Sequence, residues 1–267
     1  MKREIMGKFP LWCNDNKTEY SLCLSNDIDS LFSCILLNKI KGYKMEYFYD
    51  FQYLYKTEQT KDKAIGVDID LIDGRTWGNH VTLFKNENSA NINQILNISR
   101  ENYTEKYALS TLLTIISYYN FDISNLTEEA KMILLCIDAG FKGFYIDNFR
   151  EKHIEYLKML ELEELIEIEK KHTIDDFYNL IDKYRLYEEI KINKKTGKLE
   201  TSIDLAGLTE VFGLPFLLPS DYFFVSYKFD SYITNLNLIT KEELKQENIF
   251  SLALVNKDTI KYSKFRN

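Results

Sequence analysis

The sequence predicts an α/β fold: a mostly parallel sheet flanked by helices, then a helical connector and a smaller C-terminal α/β or α+β domain. Three observations carry this. Over the first 145 residues, apolar runs of strand length and stretches of helical period follow in the order strand, helix, three strands, two helices, which suits a layered α/β arrangement. Residues 149–190 are almost continuously helix-compatible, with charges of both signs and leucines at helical spacing. Strand-like patterns return beyond the turn-forming NKKTGK at 193–198. A chain of 267 residues suits one large domain with a smaller partner. The expected division is an α/β domain at 15–150, a connector at 151–190 and a C-terminal domain at 191–267, with a functional cleft between the two domains.

Each element has a local reason. EYSLCLS (19–25) is an apolar run that reads as a short buried strand. The helix after it spans about 28–40 and stops at Gly42, a glycine suited to the left-handed residue that ends helices. YKMEYFYDF (43–51) alternates and is rich in aromatics, as strands are. KAIGVDIDLIDG (63–74) is a further strand running into a turn at Asp73-Gly74, NHVTLFK (79–85) a short strand, and NENSANINQ (86–94) a polar loop. From Tyr103 the period becomes helical, with apolar residues at 108, 109, 112, 113, 115 and 116. LTEEAKMILLCIDAGFKG (126–143) offers Thr127 as N-cap and acids in the first helical turn. In the C-terminal part, DYFFVSYKF (221–229) and IFSLALV (249–255) are the clearest strands.

Composition narrows the function. The chain is 45% hydrophobic and 28% charged, a globular profile, and its net charge of −7 argues against a broad footprint for long nucleic acid. A small anionic ligand held through metal ions needs no basic surface. The four cysteines (Cys13, Cys23, Cys34, Cys136) are scattered without CxxC spacing, as free thiols of a reducing cytoplasm would be. No stretch approaches a membrane span, and the N-terminus lacks the apolar core of a signal peptide, so a cytoplasmic protein with no membrane partner is expected. With 19 Tyr and 17 Phe there is apolar surface to spare for a homodimer face.

Acidic residues usually occupy solvated surface, so those that interrupt apolar strands or follow them are informative. Asp27 and Asp29 follow the first strand, Asp68 and Asp70 punctuate AIGVDIDLI, His80 stands in TWGNHVTLF, and Asp138 closes the apolar run ILLCIDAGF. In an open α/β sheet ligands bind outside the carboxyl ends of the strands, where Asp27, Asp29 and Asp68 would converge and His80 and Asp138 could join them. Carboxylates gathered there need a compensating cation, and oxygen-rich ligation with an imidazole suits Mn²⁺ or Mg²⁺, as one ion or two. Each residue also has a plainer reading. Asp27 serves equally as an N-cap, His80 as a structural histidine and Asp138 as a helix-end residue. Strand alternation turns Asp70 to solvent if Asp68 faces the site, and His153 and His172 lie in charged helical sequence, where they would be solvated.

The order and local sequence of these places resemble the DHH phosphoesterase superfamily. LSNDIDSLFSCILL is similar to its first motif, an aspartate pair opening a helix; GVDIDL sits where a strand-borne aspartate belongs, and GNHVT where the DHH signature belongs. STLLTIISYY and EEAKMILLCIDAGF look like the helices leading to the fourth motif's aspartate. The resemblance covers about residues 18–145. It implies metal ligation by Asp27, Asp29, Asp68, Asp138 and His80, with His80 and Asn79 as the catalytic positions. The sequence departs from the pattern in two places. No histidine precedes the first aspartate pair, and the signature reads Gly78-Asn79-His80, so either Asn79 takes the metal-ligating histidine's place with His80 as the substrate-facing one, or, one position along, His80 is the ligand and Asn79 replaces the aspartate. The activity implied is metal-dependent hydrolysis of short oligonucleotides or a small nucleotide; the alternative is a degenerate relative that binds a ligand or partner without hydrolysis.

Overall fold

The computed structural model describes residues 1–60 and 63–266. Its strands are β1 (Ser21–Leu24), β2 (Lys44–Tyr49), β3 (Tyr53–Lys56), β4 (Ala64–Val67), β5 (Arg75–Trp77), β6 (Ser89–Ala90), β7 (Ile190–Ile192), β8 (Leu199–Thr201), β9 (Phe224–Asn235), β10 (Ile249–Asn256) and β11 (Thr259–Phe265). Its helices are α1 (Arg3–Met6), α2 (Ile28–Lys41), α3 (Ile92–Ile95), α4 (Thr111–Tyr118), α5 (Glu128–Cys136), α6 (Lys142–Tyr145), α7 (Asp147–Met159), α8 (Glu164–Lys171), α9 (Ile174–Tyr184), α10 (Leu205–Phe212) and α11 (Lys241–Gln246).

The fold is α/β, with a large mixed sheet in the order β10-β11-β9-β3-β2-β1-β4-β5-β6 and β7-β8 as a separate hairpin. From β2 through β1, β4 and β5 to β6 each pair is parallel. From β2 through β3, β9 and β11 to β10 each pair is antiparallel. The antiparallel edge comes round to the segment that follows β4. The Leu252 N–H donates to the Asp70 carbonyl at 2.9 Å, the Leu254 N–H to that of Val81 at 2.8 Å, and the Ile72 N–H to that of Phe250 at 3.0 Å. The free edge of β10 is thereby partly covered and the sheet is curled.

Local chemistry sets the parallel half. All four residues of β1 are buried, as in a strand covered on both faces. Helix α2 starts where the Asp27 carboxylate accepts the Ser30 N–H at 3.0 Å and ends where Gly42 takes φ 73°. Thr127 caps α5 through the Ala130 N–H, as its sequence predicts. The connector is three helices, α7, α8 and α9. On its C-terminal side, Phe212 and Phe216 close edge-on against Phe32 of α2, with ring centroids 4.7 and 4.6 Å away, so this segment packs into the main core. No helix of the described residues is long and apolar enough to cross a membrane.

Four local expectations fail. The polar loop expected over 86–94 holds β6 and the start of α3, which Asn91 caps through the Asn93 and Gln94 N–H groups. The strand expected over 63–74 ends at Val67, because Asp68 turns into the left-handed region at φ 57°. Residues 79–85 form no strand; β5 lies immediately before them, and Val81 is instead caught by the C-terminal strand β10. The helical period from Tyr103 yields a short 3₁₀ turn at Tyr103–Glu105, and the helix itself begins at Thr111, where Ser110 caps it.

Candidate metal centre

Three segments deliver carboxylates to one point. Asp29 lies in the first turn of α2, directly after β1; Asp68 is the residue after β4; Asp138 follows α5. One oxygen from each of the three lies within 4.8 Å of the others. Parallel strands β1 and β4 are hydrogen-bonded neighbours, so their carboxyl ends arrive side by side, which is why residues after them converge. Ser30 locks this arrangement: its hydroxyl donates to the Val67 carbonyl at 2.6 Å and accepts the Ser25 N–H at 2.7 Å.

Each carboxylate is held in its own way. Asp29 is buried and takes the first free N–H groups of α4, Thr111 and Leu112, both at 2.8 Å and one on each oxygen. A helix N-terminus offers such donors and a partial positive charge. Asp68 accepts the Thr111 hydroxyl at 2.7 Å. Asp138 is exposed and accepts the Asn79 amide at 2.6 Å. Asp68 and Asp138 both have left-handed backbone, φ 57° and 54°. Such residues cost about 1–3 kcal/mol in general, less for Asp than for bulkier side chains, and the cost is sustained where surrounding structure dictates it.

Gathering these groups without a cation is electrostatically expensive. Burial, then the Asp138 charge, push the Asp27 carboxyl up to about 6. Burial, then neighbouring carboxylates, raise Asp29 and Asp68 well above the ordinary range, against the lowering effect of the Leu112 N–H on Asp29 and of His80 and Thr111 on Asp68. His80 answers in the opposite sense. Burial disfavours its charge, but Asp70, 2.8 Å from Nδ1, together with Asp68 and Asp138, overcomes this and raises it to about 10. From the C-terminal strands, the ammonium of Lys261 on β11 lies 3.7 Å from the Phe51 ring centroid, and its pKa is lowered by burial, which the Glu189 and then the Asp27 charge partly offset.

Of the residues singled out from sequence, the structure brings Asp29, Asp68 and Asp138 into one cluster. Asp27 is beside them in charge but spends its carboxylate on the α2 cap. His80 faces Asp70, and Asn79 binds Asp138 and the Leu109 carbonyl. Asp70 is the residue sequence reasoning missed: it is buried and not turned to solvent. Alternation fails there because the left-handed turn at Asp68 interrupts the strand, so both aspartates point inward. Gly78 makes room, since a Cβ at that position would lie 2.7 Å from the Asp70 Oδ1. His153 is likewise buried, with Nε2 2.9 Å from Glu169, a partner sixteen residues away that helical charge patterning does not disclose. His172 is part-exposed and paired with Glu128 at 2.9 Å.

Asn79, His80 and Asp138 also line a cleft of about 450 Å³, whose other walls come from residues 103–109 and 139–156. It lies within the first part of the chain and the start of the connector, whereas the sequence led us to expect a cleft between two domains. The Asn79 Oδ1 is buried and unpartnered among the described residues. Three close carboxylates are a hard-oxygen donor set that could hold a metal ion. No protein-family model matches the chain, and neither a curated protein nor a solved structure matches it.

Proposed function

We propose that this protein is a divalent-metal-dependent phosphoesterase, similar to the DHH superfamily, that hydrolyses a small nucleotide or short oligonucleotide. The observation that carries the reading is the convergence of Asp29, Asp68 and Asp138 within 4.8 Å from three separate segments. In this reading the three carboxylates hold Mn²⁺ or Mg²⁺, and Asp27 and the Asn79 amide oxygen are available beside them. When bound, such an ion supplies Lewis acidity and lowers the pKa of a water. The chain's own contribution is orientation and charge. Asp70 fixes the His80 ring through Nδ1 and favours its protonated form, leaving Nε2–H to donate to a phosphate oxygen. The helix N-terminus of α4, held by Asp29, keeps Thr111 on Asp68 and so fixes the direction of that carboxylate.

Gly78 supports the same reading. On the alignment that sets Gly78-Asn79-His80 against the signature, the family's aspartate would stand at this position, and the Asp70 carboxylate occupies the space into which a side chain there would project. The unpaired, buried state of Cys13, Cys23, Cys34 and Cys136 suits the cytoplasmic location that goes with a nucleotide substrate. A second reading, a binding module without hydrolysis, is favoured by Asn79, whose amide donates to Asp138 where a metal-binding imidazole is expected.

The deciding experiment is calorimetric titration of Mn²⁺ into chelator-treated protein, with Asp68→Asn alongside, followed by hydrolysis of bis(p-nitrophenyl) phosphate. Binding that is lost in the variant, with turnover that needs the metal, supports the phosphoesterase. Binding without turnover favours the module. A folded protein that binds no Mn²⁺ or Mg²⁺ removes both the metal and the hydrolase.

A further inference from the structure

The walls of the cleft away from the carboxylates have a different chemistry. In a chain of net charge −7 they carry Lys106, Lys142 and Lys152, together with Ile146 and Phe149, apolar side chains left 46% and 40% exposed. Lys152 is neutralised by Glu105 at 2.9 Å and Glu155 at 2.6 Å. Lys106 is not. Its ammonium donates to the Tyr103 hydroxyl at 3.0 Å and rests 4.6 Å from that ring's centroid, with no carboxylate in ion-pair range among the described residues.

His153 adds an independent observation. It lines the cleft, is only 7% exposed, and has Nε2 held by Glu169 at 2.9 Å. Its Nδ1 has no hydrogen-bond partner among the described residues and is turned to Gly143, where a Cβ would lie 2.8 Å from it. A buried imidazole with one nitrogen fixed and one spare, an ammonium lacking a carboxylate and an exposed aromatic ring all border the same cavity. An imidazole that gives its Nε2–H to a carboxylate keeps Nδ1 as an acceptor, and exposed rings gain by stacking on a planar partner. A ligand that brings an anionic group for Lys106, a flat body for Phe149 and an N–H or O–H donor for His153 satisfies all three.

We infer that this cleft is the leaving-group subsite of the proposed phosphoesterase and takes a planar aromatic moiety bearing its own anionic group, seated against Phe149 with the anion at Lys106 and an N–H or O–H donor of the ligand at His153 Nδ1. The inference rests on the phosphoesterase reading for the word leaving-group, whereas the binding site stands on the cleft alone. A cavity of about 450 Å³ is the size of a small-molecule site. One nucleotide unit is therefore the natural occupant, and a long strand gains nothing from it.

The test is AMP binding by calorimetry to the full chain, chelator-treated, with inorganic phosphate and a long single-stranded oligonucleotide as comparisons. Lys106→Gln should weaken AMP at least tenfold and Phe149→Ala at least threefold, while Lys85→Gln, an exposed side chain outside the cleft, leaves AMP affinity within twofold. Both altered cleft side chains are partly exposed, and circular dichroism confirms that the variants fold. AMP binding no tighter than inorganic phosphate, or unchanged in both cleft variants, overturns the inference, as does a strand that binds tighter than AMP in proportion to its length. Mn²⁺ binding without AMP binding sinks the subsite alone. AMP binding with the expected variant pattern but no Mn²⁺ binding leaves the subsite standing and removes the hydrolase.

Discussion

The motif Asp-Ile-Asp occurs twice at adjacent strand ends, as Asp27-Ile28-Asp29 after β1 and Asp68-Ile69-Asp70 after β4, and the two copies do different work. After β1 the chain enters a helix. The first aspartate is spent on the cap, and the second, in the first helical turn, binds two backbone N–H groups of α4. After β4 the chain makes a left-handed turn. The first aspartate joins the carboxylate cluster and the second holds His80. The same three residues thus become a structural tie in one place and a charge-positioning device in the other. Backbone conformation decides which, and in the second copy that conformation is imposed from a distance by the Asp68 N–H donating to the Trp77 carbonyl at 2.9 Å.

If Asp29 is the tie, its loss is the most damaging change at either junction. Asp29→Ala leaves the Thr111 and Leu112 N–H groups without acceptors, and two buried orphan donors cost about 4 kcal/mol together. Urea unfolding of chelator-treated protein measures it, and a change below about 1 kcal/mol would erase the distinction between the two copies. Asp68→Asn should behave in the opposite way. With one of several repelling carboxylates gone, the metal-free protein becomes no less stable than the parent, while the parent alone gains about 2.7 kcal/mol from Mn²⁺ at roughly one hundred times the dissociation constant. Thermal unfolding with and without the metal separates the two.

The pH response sharpens the first copy. The Asp27 carboxyl binds its proton more tightly in the fold, at about 6 against an ordinary value of 3.8. The folded state therefore holds more protons between those values, and the metal-free protein loses stability as pH rises through about 4 to 6. The loss is about 2 kcal/mol, smaller than the full shift because the group is partly open to solvent. Unfolding midpoints across that window should slope downward with rising pH, and saturating Mn²⁺ should flatten them. The smallest effect belongs to the second copy: Asp70→Asn changes stability little but lets His80 titrate near an ordinary histidine, well below its value of about 10. Proton NMR of the ring follows it. A His80 that still titrates near its original value would mean that Asp68 and Asp138 hold the charge without Asp70.

Much of the first junction is legible in the sequence because caps are local: Asp27 before an apolar helix and Gly42 after it are decided within a few residues. The convergence of Asp29 and Asp68 is also foreseeable, since strand ends in an α/β sheet point one way, whereas Asp138 arrives from the end of α5. What stays hidden depends on partners far along the chain. Alternation sends Asp70 to solvent only if the strand continues, and the turn at Asp68 ends it. Residues 79–85 look like a strand because they are apolar, yet that apolarity serves contact with β10, about 170 residues later. The pairing of β3 with β9 has the same origin, and no pattern within either strand announces it. His153 stands among charges that suggest solvent, and only the arrival of Glu169 from another helix buries it.

The hydrogen bonds from Leu252 and Leu254 to Asp70 and Val81 have a consequence for the order in which the molecule is made. They clasp both sides of His80, and they cannot form until β10 exists. During synthesis the cluster of Asp29, Asp68 and Asp138 can assemble from segments already released, while the Asp70–His80 arm waits for nearly the whole chain. Contacts that span so much sequence form late and slowly. The carboxylate cluster therefore forms early and the Asp70–His80 arm last.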